Sequence, residues 1–176
     1  RAQSLFKTSN STMILSANTL LDTGTIITNG YGAKAQVGYD LTLKDVKLIG
    51  QSGAIAGGKT KLPVYYAILP NQQPDSLPSY TLKRGVYSIE FDQGCNLDDQ
   101  TMAFITHRSS LARIGATITS GIYDPGFQCE TVGAILTVNV DWIIVEQHAR
   151  IAQFVAQRSQ PSELYNGQWQ GAKDVK

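Results

Sequence analysis

The sequence predicts a mostly-β domain, a sandwich or barrel of short strands. Segments rich in Val, Ile, Thr, Tyr and Phe recur along the chain. Gly, Pro, Asn and Asp separate them. GVYSIEF (85–91) alternates Val86, Ser88 and Glu90 with Tyr87, Ile89 and Phe91, the period of a half-buried strand. Many short strands at such intervals argue for a sandwich or barrel.

The elements follow in order. RAQSLFKTSNST is polar and lacks the apolar centre of a signal peptide. Met13 reads as a natural start, so residues 1–12 are expected to be an arm or a cloning remnant. A helix is expected next: Ser16 can cap it, Leu20 and Leu21 lie about one turn beyond Ile14 to Ala17, and Gly24 stops it. Strands are expected at VGYDLTL (37–43), PVYYAIL (63–69), GVYSIEF (85–91), TMAFIT (101–106), GATITSGIY (115–123), VGAILTV (132–138) and RIAQFVA (150–156). QSGAIAGGKTKLP (51–63) reads as a flexible loop or hairpin tip, NQQPDSLPSY (71–80) as a loop and SSLARIG (109–115) as a helical turn. After Gln160 the chain is polar and glycine-bearing, a tail rather than a core element. The expected organisation is an arm (1–12), one domain (13–160) and a tail (161–176).

At 176 residues the chain can build one domain with a real core. Its 42% hydrophobic and 16% charged residues are a globular composition. A net charge of +1 leaves no electrostatic footprint for nucleic acid, so any polyanion should be small and held by a local cluster. No apolar run is long enough to span a bilayer. Cys95 and Cys129 lack metal-ligand spacing, and two thiols do not make a disulfide scaffold, which points to a reduced, intracellular setting. A cytoplasmic protein is expected, in the host cytoplasm if the source is viral. His107 and His148 are the two histidines and neither has a partner at ligand spacing. A turn is expected at His148 and a structural hydrogen bond at His107.

Five segments can carry chemistry. In HRSSLARIG (107–115), Arg108 offers a forked cation for phosphate oxygens, and Ser109 and Ser110 offer hydroxyls and N–H groups at a helix start. Arg113 lies four residues beyond Ser109, on the same side of such a turn. A capped helix with two solvated arginines accounts for the same residues. In GIYDPGFQCE (121–130), Asp124 ends a β run before a Pro-Gly turn, a place from which a carboxylate can orient and deprotonate water. A plain turn capped by Asp124 is the alternative. Phe127 could stack on a sugar face. Asp40 in VGYDLTL needs a partner or a site if it is buried, or faces water from an edge strand. Arg150 and Gln153 flank Ile151 and Ala152 in HARIAQFV, as functional groups or as the polar face of a strand. In YNGQWQG, Tyr165 and Trp169 among glycines suit a lid over a flat base, or a disordered terminus.

Taken in this order, the five segments resemble the five motifs of the trimeric dUTPase and dCTP deaminase superfamily. MILSANTLLDTGTI and LKRGVYSIEFDQG resemble the deaminase branch, and the likeness runs from Met13 to about Gly171. The resemblance implies a distorted β-barrel of jelly-roll character (β-clip), a homotrimer, active sites between subunits, and Mg²⁺ held mainly by the triphosphate of dUTP. It implies that water activated by Asp124 attacks the α-phosphorus and releases pyrophosphate. Arg108, Ser109, Ser110 and Gln153 would contact phosphate, with Asp40, Arg113 and Arg150 in support. Ile118, Thr119 and Ser120 would read the pyrimidine through backbone groups. Phe127 would pack on deoxyribose, and Tyr165, Trp169 and Gln170 would cover the nucleotide. The deaminase branch carries its proton-shuttling glutamate ten residues beyond the third-motif aspartate, where this chain has Ala134. Alanine cannot move a proton, so dUTP hydrolysis is expected. The alternatives are a dCTP deaminase or bifunctional enzyme using a relocated carboxylate such as Glu130, a catalytically silent nucleotide-binding relative, and an inactive β-sandwich. Cys129, where glycine is usual, and Tyr123, where isoleucine is usual, depart from the pattern.

Overall fold

A computed structural model describes residues 13–72, 74–167 and 169–171. The expected arm at 1–12 lies outside them. The elements are α1 (Ala17–Asp22), β1 (Ile26–Ile27), β2 (Ala33–Lys34), β3 (Tyr39–Gly50), β4 (Ala54–Ala56), β5 (Lys59–Lys61), β6 (Val64–Ala67), β7 (Ser79–Phe91), β8 (Gly94–Asn96), β9 (Thr101–His107), α2 (Ser109–Arg113), β10 (Ala116–Thr119), β11 (Gln128–Cys129), β12 (Gly133–Glu146) and β13 (Arg150–Arg158).

The main sheet runs β13-β9-β10-β12-β7-β3-β2, and β13 also pairs with β3. That extra pairing closes six strands into a ring, so the sheet is a distorted barrel without free edges over most of its girth. The register slips between Leu43 and Asp45, Val138 and Trp142, and Arg150 and Ala152, where bulges bend the long strands around the ring. A small sheet, β1-β8-β11, accompanies it.

Alternation in β7 points Tyr87, Ile89 and Phe91 into the core, as the period of GVYSIEF requires. Leu41, Leu43, Leu136, Ala152 and Phe154 join them from the neighbouring strands. Each large side chain so buried contributes roughly 1.5–3 kcal/mol. Ser16 caps α1 by accepting the Thr19 N–H, and Leu20 is fully buried beneath it.

The strands exceed the sequence expectation in length. β3 continues seven residues past Leu43, and β12 runs on through Asn139 to Glu146. In β12 the buried residues Ile143 and Val145 alternate with exposed Trp142 and Ile144, so apolar side chains stand on both faces and mask the two-residue period. The loop expected at 71–80 ends inside β7, and 51–63 holds the β4–β5 hairpin. The run expected at 115–123 is a strand only over Ala116–Thr119.

Candidate functional site

Asp40 lies on β3, whose neighbour β13 sets Gln153 opposite it and Arg150 opposite Thr42. On its other side β13 aligns Gln153 with Thr106 of β9, and Arg108 follows that strand. Three strands thus deliver four polar residues to one end of the barrel. Asp40 is buried and paired, not facing water from an edge. Its Oδ2 is 3.2 Å from Arg108 Nε and 3.5 Å from Arg150 Nη1. Arg108 Nη1 also donates to the Arg150 carbonyl at 3.1 Å. Two guanidiniums share one carboxylate, so a positive charge is left over. Both remain partly exposed, at 32% and 49%, and their free N–H groups suit an anion's oxygens. Asp40 Oδ1 is buried without a hydrogen-bond partner among the described residues.

Arg108 is also the N-terminal cap of α2, with extended backbone and no side-chain cap bond. Ser109 and Ser110 are exposed beside it, and Arg113 is exposed in the last turn. The expected helical turn is therefore present with its serines open to solvent. The hydrogen bond expected at His107 is not made by Nδ1, which is buried without a partner among the described residues. His148 occupies the expected turn with a φ of 63°. Its Nδ1 meets Asp92 Oδ2 at 2.9 Å, and its ring stacks on Tyr31 at 3.9 Å.

A cavity of about 340 Å³ lies elsewhere on the barrel. Its lining includes Thr119, Ser120, Tyr123, Phe127, Ala134 and Trp169, which gathers several residues expected to meet a nucleoside. Ser120 Oγ accepts the Ile105 N–H at 2.8 Å and so ties the β10 turn to β9. Ile118 points into the core at 5% exposure and offers the cavity no side chain. Phe127 packs on Tyr123 with ring centroids 5.4 Å apart and meets Tyr165 edge-on at 5.2 Å. Asp124 is exposed and lies in sequence between two lining residues, Tyr123 and Phe127.

The tail folds back on this same turn. Tyr165 N–H donates to the Pro125 carbonyl at 2.9 Å, and Gln170 Nε2 to the Gly126 carbonyl at 2.8 Å. Trp169 N–H reaches the Tyr165 hydroxyl at 3.2 Å. Tyr165 and Gln170 are therefore braces on the Asp124–Phe127 turn, and Trp169 forms cavity wall.

Other cavity features escape sequence reading. The Tyr123 hydroxyl donates to the Gly133 carbonyl and accepts the Gly133 N–H, fixing the start of β12. Burial pushes its phenol upward, against the pull of the Gly133 bond, so it stays protonated. Ala134 faces Ile89 across β12 and β7, an apolar patch of floor. Glu90 is a lining carboxylate, and its Oε1 is 2.9 Å from Lys47 Nζ. Glu130 is exposed and is not part of the lining. In the sequence Glu90 stands on the polar face of an alternating strand, inside the segment LKRGVYSIEFDQG but outside the five motif segments.

Within one chain the Tyr123 turn and the arginine cluster meet β9 at different points. Tyr123 bridges to Ala103 near the start of β9, whereas Arg108 lies beyond its end. The intervening extended chain spans about 17 Å.

The family described as "dCTP deaminase-like" matches residues 16–159. A protein of Methanocaldococcus jannaschii named "Deoxyuridine 5'-triphosphate nucleotidohydrolase" is 32% identical over 122 residues, 68% of this chain and 75% of that protein. One of Aeropyrum pernix, named "Probable deoxyuridine 5'-triphosphate nucleotidohydrolase", is 26% identical over 167 residues, 90% of this chain and 98% of that protein. In three dimensions the chain is similar to the 2'-deoxycytidine 5'-triphosphate deaminase of Agrobacterium tumefaciens, with a TM-score of 0.62 at 14% identity. That likeness covers 84% of this chain but 49% of the deaminase, and it bears on the fold alone.

Proposed function

Since the chain belongs to the dCTP deaminase-like family, we propose that it is a dUTP diphosphatase, converting dUTP to dUMP and pyrophosphate. The observation that carries this reading is the pairing of an apolar cavity floor at Ala134 and Ile89 with an exposed carboxylate, Asp124, that follows the lining residue Tyr123 in the chain. Relatives named for dUTP hydrolysis support the choice of substrate.

In this reading the pyrimidine enters between the β10 turn and Phe127. Backbone groups near Thr119 and Ser120 read its edge, and Phe127 packs against the deoxyribose. Asp124 accepts a proton from the attacking water as its oxygen bonds the α-phosphorus and the pyrophosphate leaves. The arginine cluster grips the phosphates: Arg108 and Arg150 neutralise charge, Asp40 holds both in place, and Ser109, Ser110 and Gln153 add donors, with Arg113 in support. Asp124 follows Tyr123, which bridges to Ala103 in β9, whereas Arg108 lies beyond the end of that strand; in this reading the phosphates of a nucleotide in one chain's cavity are held by the arginine cluster of a neighbouring copy. A homotrimer, the arrangement the family resemblance implies, satisfies this by symmetry. Among the described residues no three His, Cys, Asp or Glu side chains stand together as a metal site. Magnesium, as the family resemblance implies, would be held chiefly by the triphosphate and would offset its charge. The tail, through Trp169, closes the cavity wall.

A deaminase reading would need a relocated carboxylate such as Glu130, which is exposed and outside the cavity lining, or Glu90, which lines the cavity and is paired with Lys47. Incubation of the purified protein with a panel of deoxynucleoside triphosphates separates the readings. Pyrophosphate from dUTP without ammonia from dCTP is expected. Ammonia from dCTP overturns the assignment, and dUTP binding without pyrophosphate leaves a silent nucleotide-binding relative.

A further inference from the structure

The chain has two cysteines, 34 positions apart in sequence, and the fold sets them face to face. Cys95 on β8 and Cys129 on β11 are directly paired across antiparallel strands. Their sulfurs are 3.7 Å apart and both are buried free thiols. Facing residues of such strands have Cα atoms about 4.5–5.5 Å apart, within the range that a disulfide bridges. A further approach of roughly 1.7 Å would bring the sulfurs to bonding distance. Cys129 also forms part of the cavity wall beside Phe127, so the pair lies against a space that a small oxidant can enter. We propose that Cys95 and Cys129 are a reversible disulfide site, oxidised by a peroxide that arrives through the cavity.

The chemistry balances with one peroxide. The Cys129 sulfur attacks a peroxide oxygen, the O–O bond breaks, and a sulfenic acid forms with release of water. The Cys95 sulfur then attacks the Cys129 sulfur, its proton leaves with the departing hydroxyl as a second water, and the S–S bond forms. Two thiols are oxidised and one peroxide is reduced to two waters. The order of attack follows access: Cys129 is among the residues lining the cavity and Cys95 is not, so Cys129 is the nucleophile and Cys95 the resolving thiol. The hydrogen bond from Cys95 also holds the Cys129 thiol below its ordinary value against the opposing effect of burial.

The test treats the full chain with hydrogen peroxide, unfolds it under a thiol-alkylating reagent, and reads intact mass and cross-linked peptides. The expected product has lost the mass of two hydrogens, carries one peptide link between Cys95 and Cys129, and returns to two alkylated thiols after dithiothreitol. In Cys95→Ser, Cys129 should instead gain oxygen as sulfenic or sulfinic acid. Two alkylatable thiols after prolonged exposure, links only between different molecules, or the same oxygen addition with and without Cys95 would overturn the proposal. The access route rests on the cavity being the nucleotide site. Saturating dUTP on Asp124→Asn should slow linking about threefold or more. Linking at an unchanged rate overturns that route while the intramolecular link itself stands.

Discussion

Replacing Asp40 by Asn keeps the side chain's shape and removes the charge that Arg108 and Arg150 share. Asp40 is buried, and its Oδ2 lies within 3.5 Å of both guanidiniums. Breaking a fully buried ion pair costs about 3–5 kcal/mol because a charge is left without a partner. Here the stranded charges are Arg108 and Arg150, 32% and 49% exposed, and water screens them. Roughly half of that cost, about 1.5–2.5 kcal/mol, is therefore expected. For a domain of this size that lowers Tm by roughly 3–10 °C. The same change frees Arg108 from its fixed position beside the Arg150 carbonyl, so kcat/KM for dUTP should fall by about tenfold or more, a loss of at least ~1.4 kcal/mol. Thermal unfolding and steady-state pyrophosphate release measure the two effects on one preparation. A variant that melts within about 1 °C of the parent and retains its kcat/KM would refute the view that Asp40 holds the arginine cluster.

Asp124→Asn should lower pyrophosphate release by about 10²–10⁴ while calorimetry still detects dUTP binding; undiminished turnover would show that another group activates water. Tyr123→Phe leaves the Gly133 N–H and carbonyl without the hydroxyl that meets both. It should cost about 1–3 kcal/mol in denaturant unfolding, and an unchanged midpoint would count against the role given to that hydroxyl. Asp98 is tied to Arg158 at 2.6 Å. Burial opposes its charge, but bonds from Thr101, Arg158 and the Gln100 N–H, with the Arg158 charge, hold its carboxyl below the ordinary 3.8. A carboxyl lowered on folding contributes stability that is present above its ordinary value and disappears as pH falls through the folded one. The Tm difference between the parent and Asp98→Asn should thus be small, under about 1 kcal/mol equivalent given its exposure, and should vanish in acid; a gap that widens below pH ~4 would reverse the sign of that linkage.

How far the sequence discloses this molecule depends on whether a property is local. The alternation of GVYSIEF and the Ser16 cap are local, and the structure repeats them. The serine turn after Arg108 is local too, and α2 stands where expected. Strand ends are not local. β12 continues to Glu146 because its pairing with β7 resumes beyond a bulge, which no window around Val138 can report. The burial of Asp40 follows from β13 lying between β3 and β9, a pairing set by residues more than a hundred positions away. Glu90, Tyr65 and Leu62 reach the cavity from strands and loops outside the five motif segments. The contact between Cys95 and Cys129 is of the same kind: their spacing excluded a metal pattern but could not reveal that β8 and β11 lie side by side.

The separation of Asp124 from Arg108 along β9 makes subunit mixing the most direct measurement. Asp124→Asn and Arg108→Ala should each be inactive alone. Unfolded together in equal amounts and refolded, they should recover about a quarter of the parent's dUTP hydrolysis, because a random assembly pairs an intact Asp124 with an intact neighbouring Arg108 in that share of sites. Mixed oligomers that form, melt cooperatively and release no pyrophosphate would contradict a site shared between copies.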